Sequence, residues 1–371
     1  MGYDISYCIV CMNRAEHLKQ TLPQNIKDNL HCNVEFVLLD YNSADDLEMW
    51  CRSEMPEYIE SGILKYFKTT DPAYFHRSHS RNMAFRLASG NIICNLDADN
   101  FLGKGFTEYA LTVFKGKEKV FIRGGGANNI ATYGRILFPS AMLQELTGYD
   151  EVMDGYSAED DDFTYRLEAA GYSPVFFRQT EFSNVLDHSD ISRMKDERYI
   201  KELYKIFLIN SSFYSSFVYY LFEDNSFMFV YLLDIKENNS SNIQNGIMPI
   251  GTNDDDVCED VYDLREKIVK MNRVNPEYKE FYKKGTWKMK EESYLLFDND
   301  GIQIAAIEKN ETSKEIPELK QKQALIFYLT RCINQLKLHE NHINNAIRVN
   351  HNGFGKGKVY CNFSDKVIYL N

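Results

Sequence analysis

Ile92-Ile93-Cys94-Asn95-Leu96-Asp97-Ala98-Asp99-Asn100 is the stretch on which the rest of the chain turns. An apolar run ends abruptly in two carboxylates one residue apart. Alternate residues of a strand point the same way, so Asp97 and Asp99 can converge on one target just past a sheet edge. Such a pair suits a divalent cation. A DxD alone arises by chance in many acidic chains, so its surroundings must decide.

On the N-terminal side, residues 5–10 read as a buried strand, and a turn at Asn13-Arg14 leads into a helix ending near Leu30. A second strand over 34–39 stops at Asp40-Tyr41-Asn42-Ser43. Strand, helix and strand make a βαβ unit, which predicts a parallel sheet carrying ligand groups at its carboxyl ends. Asp40 stands at such an end. A helix over 45–58 and a strand over 63–67 follow. Arg77-Ser78-His79-Ser80-Arg81-Asn82 then opens a helix through Leu87 that Ser89-Gly90 closes. Two arginines near a helix start can serve an anion, or simply form a solvated polar entry.

On the C-terminal side, 106–114 reads as helix, 120–122 as a short strand and 132–138 as another. Ser140 is placed to cap a helix through Leu146. Gly124-Gly125-Gly126 lacks the lysine and serine or threonine of a Walker phosphate loop. Gly148-Tyr149-Asp150-Glu151 turns the chain toward Glu159-Asp160-Asp161-Asp162-Phe163, which begins a helix stopped by Gly171. Acids at a helix amino terminus are favoured by its dipole.

These pieces in this order resemble a GT-A glycosyltransferase of the large family 2 type. The closing stretch is similar to that of β-1,4-galactosyltransferases and bacterial chondroitin polymerases. Gly148-Tyr149-Asp150-Glu151 matches their GF/GYDE turn, Glu159 to Phe163 with Arg166-Leu167 matches WGGEDDDxxxRL, and Asp97-Ala98-Asp99 matches DxD. The resemblance covers residues 4–190 and nothing beyond. Two positions depart from it. The family's Trp-Gly-Gly is Tyr156-Ser157-Ala158 here, and the paired acids after the second strand are reduced to Asp40-Tyr41.

The resemblance implies an α/β, Rossmann-like and mostly parallel sheet flanked by helices, and metal-dependent, inverting transfer from a nucleotide sugar, with UDP expected. Asp99 and Asp97 would hold the metal, with Asp97 also available to the ribose, and His188 downstream would be a further ligand. Carboxylates with one imidazole suit Mn²⁺, with Mg²⁺ as the alternative. Asp160 would be the base for the acceptor hydroxyl. Glu159 and Asp161 would hold acceptor hydroxyls, and Tyr156 would stack on the acceptor ring. Asp162 could equally be a helix-capping surface acid. Asp40, Arg81 and Arg14 are assigned to the nucleotide. The acceptor implied is a glycan or glycoconjugate, such as a bacterial-type surface polysaccharide.

Composition sets the frame. A chain of 371 residues is long enough for two domains, and its 44% hydrophobic and 26% charged residues argue against disorder. A net charge of −12 disfavours nucleic acid or an anionic membrane as the main partner. The N-terminal residues lack the pattern of a secretory leader, and no run reaches membrane-spanning length. A cytoplasmic protein with reduced, buried thiols is therefore expected, with peripheral membrane contact and oligomeric state left open. Cys8 and Cys11 form a CxxC with no second one to complete a zinc site.

The second half turns aromatic. Tyr199, Leu203, Ile206 and Phe207, then Tyr214, Phe217, Val218 and Leu221, fall at helical spacing. The expected division is a catalytic domain over 1–235 that includes this helical extension, a polar linker over 236–257, and an α+β accessory domain over 258–371. In the last part, 259–271 and 318–338 read as helices, 293–297 and 302–307 as a hairpin, and 359–361 and 366–369 as strands. Two rivals stand beside the transferase. One is a catalytically silent sugar-binding or scaffolding protein, and the other is a nucleotidyltransferase, whose glycine-rich, lysine-bearing loop is replaced here by Cys11-Met12-Asn13-Arg14.

Overall fold

The computed structural model describes residues 2–125, 132–187, 193–212, 215–233, 282–308 and 313–371. The chain divides into two units, one of residues 1–154, 158–196 and 341–371, the other of residues 155–157 and 197–340. The last thirty or so residues, expected in an accessory domain, thus fold with the first unit. The expected linker over 236–257 and the helix over 259–271 lie outside the described residues.

The first unit begins β1 (Ile5–Cys11), α1 (Ala15–Asn29), β2 (Val34–Tyr41), α2 (Leu47–Glu54), α3 (Pro56–Glu60), β3 (Leu64–Thr69), α4 (Arg77–Leu87) and β4 (Ile92–Asn95). It continues with α5 (Phe106–Gly116), β5 (Val120–Arg123), β6 (Ile136–Pro139), α6 (Ala141–Leu146), α7 (Glu159–Ala169) and β7 (Ser173–Phe176). The single helix expected over 45–58 is two, because Pro56 lacks the N–H that would continue α2 and instead starts α3.

The second unit contains β8 (Leu203–Ser212), β9 (Ser215–Phe222), β10 (Ser226–Leu233), β11 (Tyr282–Lys290), β12 (Ser293–Phe297), β13 (Gln303–Ile307) and β14 (Ser313–Glu315). Helix α8 (Leu319–Ile343) follows, and β15 (Gly357–Cys361) and β16 (Val367–Leu370) close the chain.

The first sheet runs β16-β15-β3-β2-β1-β4-β6-β5-β7. Its centre, β3-β2-β1-β4, is parallel, whereas β6 is antiparallel to both β4 and β5. Both faces are buried. Ile5, Tyr7, Ile9, Phe36 and Leu38 pack on one side, and Cys8, Val37, Leu39 and Ile93 on the other. That is why these strands read as unbroken apolar runs. The central strands end along one edge, where Cys11 pairs with Asp40 and Cys8 with Asn95. The turns that carry Arg14, Ser43 and Asp97 leave from there. Cys8 and Cys11 are buried free thiols, each pushed up by desolvation, and no helix among the described residues is long and apolar enough to cross a membrane.

In the second unit the helical extension expected over 199–221 is instead an antiparallel meander. Its sheet runs β13-β12-β11-β10-β9-β8-β14. Phe207, Tyr219, Phe229, Trp287 and Tyr294 form one apolar cluster. The alternate residues Ile206, Val218 and Tyr220 are also buried, and the Tyr220 hydroxyl donates to the Leu325 carbonyl of α8 at 2.8 Å. With both faces covered, alternation disappears and apolar residues fall at helical spacing by coincidence.

Candidate active site

The first unit gathers its acidic residues around one guanidinium. Arg81 lies in α4 with 4% of its surface exposed, close to the helix start predicted to serve an anion. Its Nη1 donates to Asp160 Oδ1 at 3.0 Å and to Glu159 Oε1 at 3.3 Å, and its Nη2 donates to Asp97 Oδ1 at 3.3 Å. Burial alone would lower the Arg81 pKa. The charges of Asp160, Asp97 and Glu159 more than reverse this and hold it firmly cationic. One helical turn earlier, Arg77 Nε lies 3.4 Å from the same Glu159 oxygen.

Asp97 and Asp99 stand in the turn after β4. Asp97 keeps a third of its side chain exposed, while Asp99 is nearly covered and lies 3.6 Å from Arg14 Nη2. The loop is braced from below. Fully buried Arg135 donates to Asn100 Oδ1 at 2.9 Å and to the carbonyls of Phe101 and Phe182, and Asn100 Nδ2 donates to Asp99 Oδ1 at 2.7 Å. Desolvation pulls Arg135 down to about 10, which leaves it charged at neutral pH. Asn95 Nδ2 donates to the Gly134 carbonyl at 2.8 Å, so the strand end is tied to the loop before β6.

Helix α7 brings the second acidic group. Its entry residues Ser157 and Ala158 adopt φ of 90° and 72°, the left-handed region that the family's Gly-Gly would enter without strain. Two residues with a Cβ thus take a left-handed path at the entry to α7. Glu159 is buried, and burial together with Asp160 raises its carboxyl to about 6 against the pull of Arg81 and Arg77. Asp161 accepts from the Tyr133 hydroxyl and from Arg123 Nη2 at 3.2 Å. Asp162, expected as a possible surface cap, is fully buried instead. It pairs with Arg166 Nε at 2.7 Å and accepts from Asn341 Nδ2 at 2.8 Å.

The structure thus brings together Asp97, Asp160, Glu159 and Arg81, with Asp99 and Arg14 paired beside them. Asp40 is placed differently from its expected role. It has no exposed surface, accepts from the Tyr66 hydroxyl at 2.6 Å and from the Ser43 N–H at 2.8 Å, and desolvation raises its pKa. It braces the turn after β2 and offers no oxygen to a ligand in this conformation. Tyr156 belongs to the second unit, where its ring packs 4.9 Å from Phe327 and its N–H donates to Thr330. His188 lies outside the described residues.

Two carboxylates form a donor set that fits Mn²⁺ or Mg²⁺. Among the described residues no third ligand joins Asp97 and Asp99, and the one cluster of His, Cys and acid side chains close enough to share an ion is the distant surface group His31, Cys32 and Glu108. Sequence reasoning missed Tyr149 and Gly134. The Tyr149 hydroxyl donates to Asp160 Oδ1 at 2.8 Å, and Gly134 lies against Asp97, Asp160 and Arg81. Tyr149 was visible only as part of the turn motif, and Gly134 carried no signal in a stretch read as strand.

Residues 6–147 match the model of the family described as Glycosyl transferase family 2. The match lies within the first unit, whose sheet agrees with the α/β GT-A fold that the sequence resemblance implies. No curated protein matches the chain significantly. Similar solved structures include a mannosyltransferase from Pyrobaculum calidifontis in complex with GDP-Man and Mn²⁺, at 17% identity and a TM-score of 0.43 over 53% of this chain. This chain spans 63% of that protein's length. S. aureus TarS 1–349 in complex with UDP-GlcNAc shares 16% identity at a TM-score of 0.34, covering 50% of this chain and 62% of its own. The catalytic domain of Drosophila β1,4-galactosyltransferase 7 with xylobiose shares 16% at 0.38, covering 53% and 75%. These likenesses are distant.

Proposed function

We propose that the protein transfers a sugar from a nucleoside diphosphate sugar, UDP being the expected nucleotide, to a hydroxyl of a glycan or glycoconjugate acceptor, with inversion. The observation that carries this reading is the meeting of Asp97 and Asp160 on Arg81. A carboxylate from the DxD turn and one from the α7 entry stand on two sides of one space, as displacement at a single carbon requires. Asp160 is the base. Its Oδ1 accepts hydrogen bonds from the Arg81 guanidinium and the Tyr149 hydroxyl. The acceptor oxygen bonds to the anomeric carbon as that carbon's bond to phosphate breaks, the electron pair leaves with the nucleoside diphosphate, and the hydroxyl proton passes to Asp160. Base catalysis of this kind is worth ~10²- to 10⁴-fold in rate.

Asp99 and Asp97 would hold a divalent cation, with His188 as third ligand, and the cation would neutralise charge on the departing diphosphate. Arg14 and Arg81 are assigned to the donor's phosphates, and Glu159 and Asp161 to the acceptor. The test is a panel of nucleotide sugars offered with Mn²⁺ and glycan acceptors. Turnover that Asp160→Asn abolishes supports the assignment. Donor binding without any turnover in the wild type would instead mark a sugar-binding scaffold, and an Asp160→Asn variant of full activity would remove the base from this position.

A further inference from the structure

The two oxygens of Asp160 have different surroundings. Oδ1 accepts two hydrogen bonds, from the Tyr149 hydroxyl at 2.8 Å and from Arg81 Nη1 at 3.0 Å. Oδ2 faces Gly134. A methyl group built on Gly134 would stand 3.1 Å from this oxygen and equally 3.1 Å from Oδ2 of Asp97. The missing side chain therefore keeps open the space between the two acids.

Tyr149 is held with little freedom. It is fully buried, its ring stacks on Phe163 with centroids 4.5 Å apart at 14°, and the Arg81 guanidinium carbon lies 5.2 Å from its centroid. Phenylalanine would fill this position equally well for packing. The hydroxyl adds the bond to Asp160. The groups facing Asp160 are then Arg81 from α4, Tyr149 from the turn after α6, Asp97 from the turn after β4, and its own neighbour Glu159.

We infer that Tyr149 is a positioning residue for proton transfer: with Arg81 it locks Oδ1 of Asp160, so that Oδ2 receives the acceptor's proton in the space that Gly134 leaves open. The inference rests on the glycosyl-transfer reading and deepens it. A carboxylate free to turn about its Cβ–Cγ bond would present either oxygen at a range of angles, and proton transfer depends on alignment within hydrogen-bond reach.

Two variants of the full chain test it. Tyr149→Phe removes one oxygen and keeps the ring. The expected result is a kcat lower by roughly tenfold or more, with KM for donor and acceptor unchanged. A crystal structure of the variant should show the Asp160 carboxylate turned from its wild-type setting. Gly134→Ala introduces the methyl at a residue whose φ is not left-handed, so the backbone tolerates it. Its kcat should fall further still. Wild-type kcat in either variant would overturn the inference. If the wild type transfers no sugar from any donor, the glycosyl-transfer reading fails by itself. The structure of Tyr149→Phe still decides the positioning, because an unmoved Asp160 carboxylate would refute it.

Discussion

Asp97 and Asp160, from opposite sides of the first unit's acidic cluster, are bonded to the two terminal nitrogens of the same arginine, at 3.3 and 3.0 Å. The distance between the DxD turn and the start of α7 is therefore set by the width of one planar group. A guanidinium can do this because its donors form a rigid fork, whereas an ammonium is a single point of charge.

Arg81→Lys should accordingly lower transfer by about 10²-fold, since small misplacements of a reacting group carry that cost. Arg81→Met leaves Asp97 and Asp160 without this counter-charge and Glu159 with Arg77 alone. Breaking a buried ion pair from one side destabilises by roughly 3–5 kcal/mol. Urea unfolding of the two variants beside a transfer assay checks both statements. Equal stability of Arg81→Met and wild type would mean that the cluster is solvated well enough to need no cation.

Chelation is the second test. EDTA should stop transfer, and Mn²⁺ should restore it in the wild type but not in Asp99→Ala, where one of the two carboxylates is gone. Full activity in EDTA would reassign Asp99 to a structural partner of Arg14, from which it stands 3.6 Å.

The α7 entry supplies a prediction with a sign opposite to most substitutions. A left-handed conformation costs a residue with a Cβ about 1–2 kcal/mol, offset in part by the greater unfolded-state freedom of glycine. Ala158→Gly should therefore raise stability by about 0.5–1 kcal/mol and leave transfer intact. A lower midpoint in urea would show that the Ala158 methyl contributes more through packing than its φ of 72° costs.

What could be seen in the sequence follows from the same physics. β1, β2, α4 and the DxD turn were legible because apolar runs there end in polar turn residues. The second unit was not, because Ile206 and Phe207 are both fully buried and the strand shows no alternation. The return of β15 to pair with β3 is a contact between distant residues, Tyr360 with Lys68, that no local pattern encodes. Asp40 stands at a strand end, as a ligand group would. Only the structure shows that Tyr66 already occupies its carboxylate.

Glu159 gives a test that needs no substrate. Burial first, and Asp160 second, raise its carboxyl from 4.5 to about 6, while Arg81 and Arg77 pull the other way without prevailing. The folded protein therefore binds this proton more tightly than the unfolded chain does. Between pH 4.5 and about 6 the native state carries the greater number of protons, so the contribution of Glu159 to stability falls as pH rises through that window. The full loss, about 2 kcal/mol, is reached above it. Glu159→Gln removes the titration and keeps the shape. Urea unfolding of both proteins from pH 4 to 7 should show the wild type losing ground to the variant as pH rises, with most of the change in that window. Parallel curves would mean that Arg81 and Arg77 balance burial completely and that Glu159 ionises as an ordinary carboxylate.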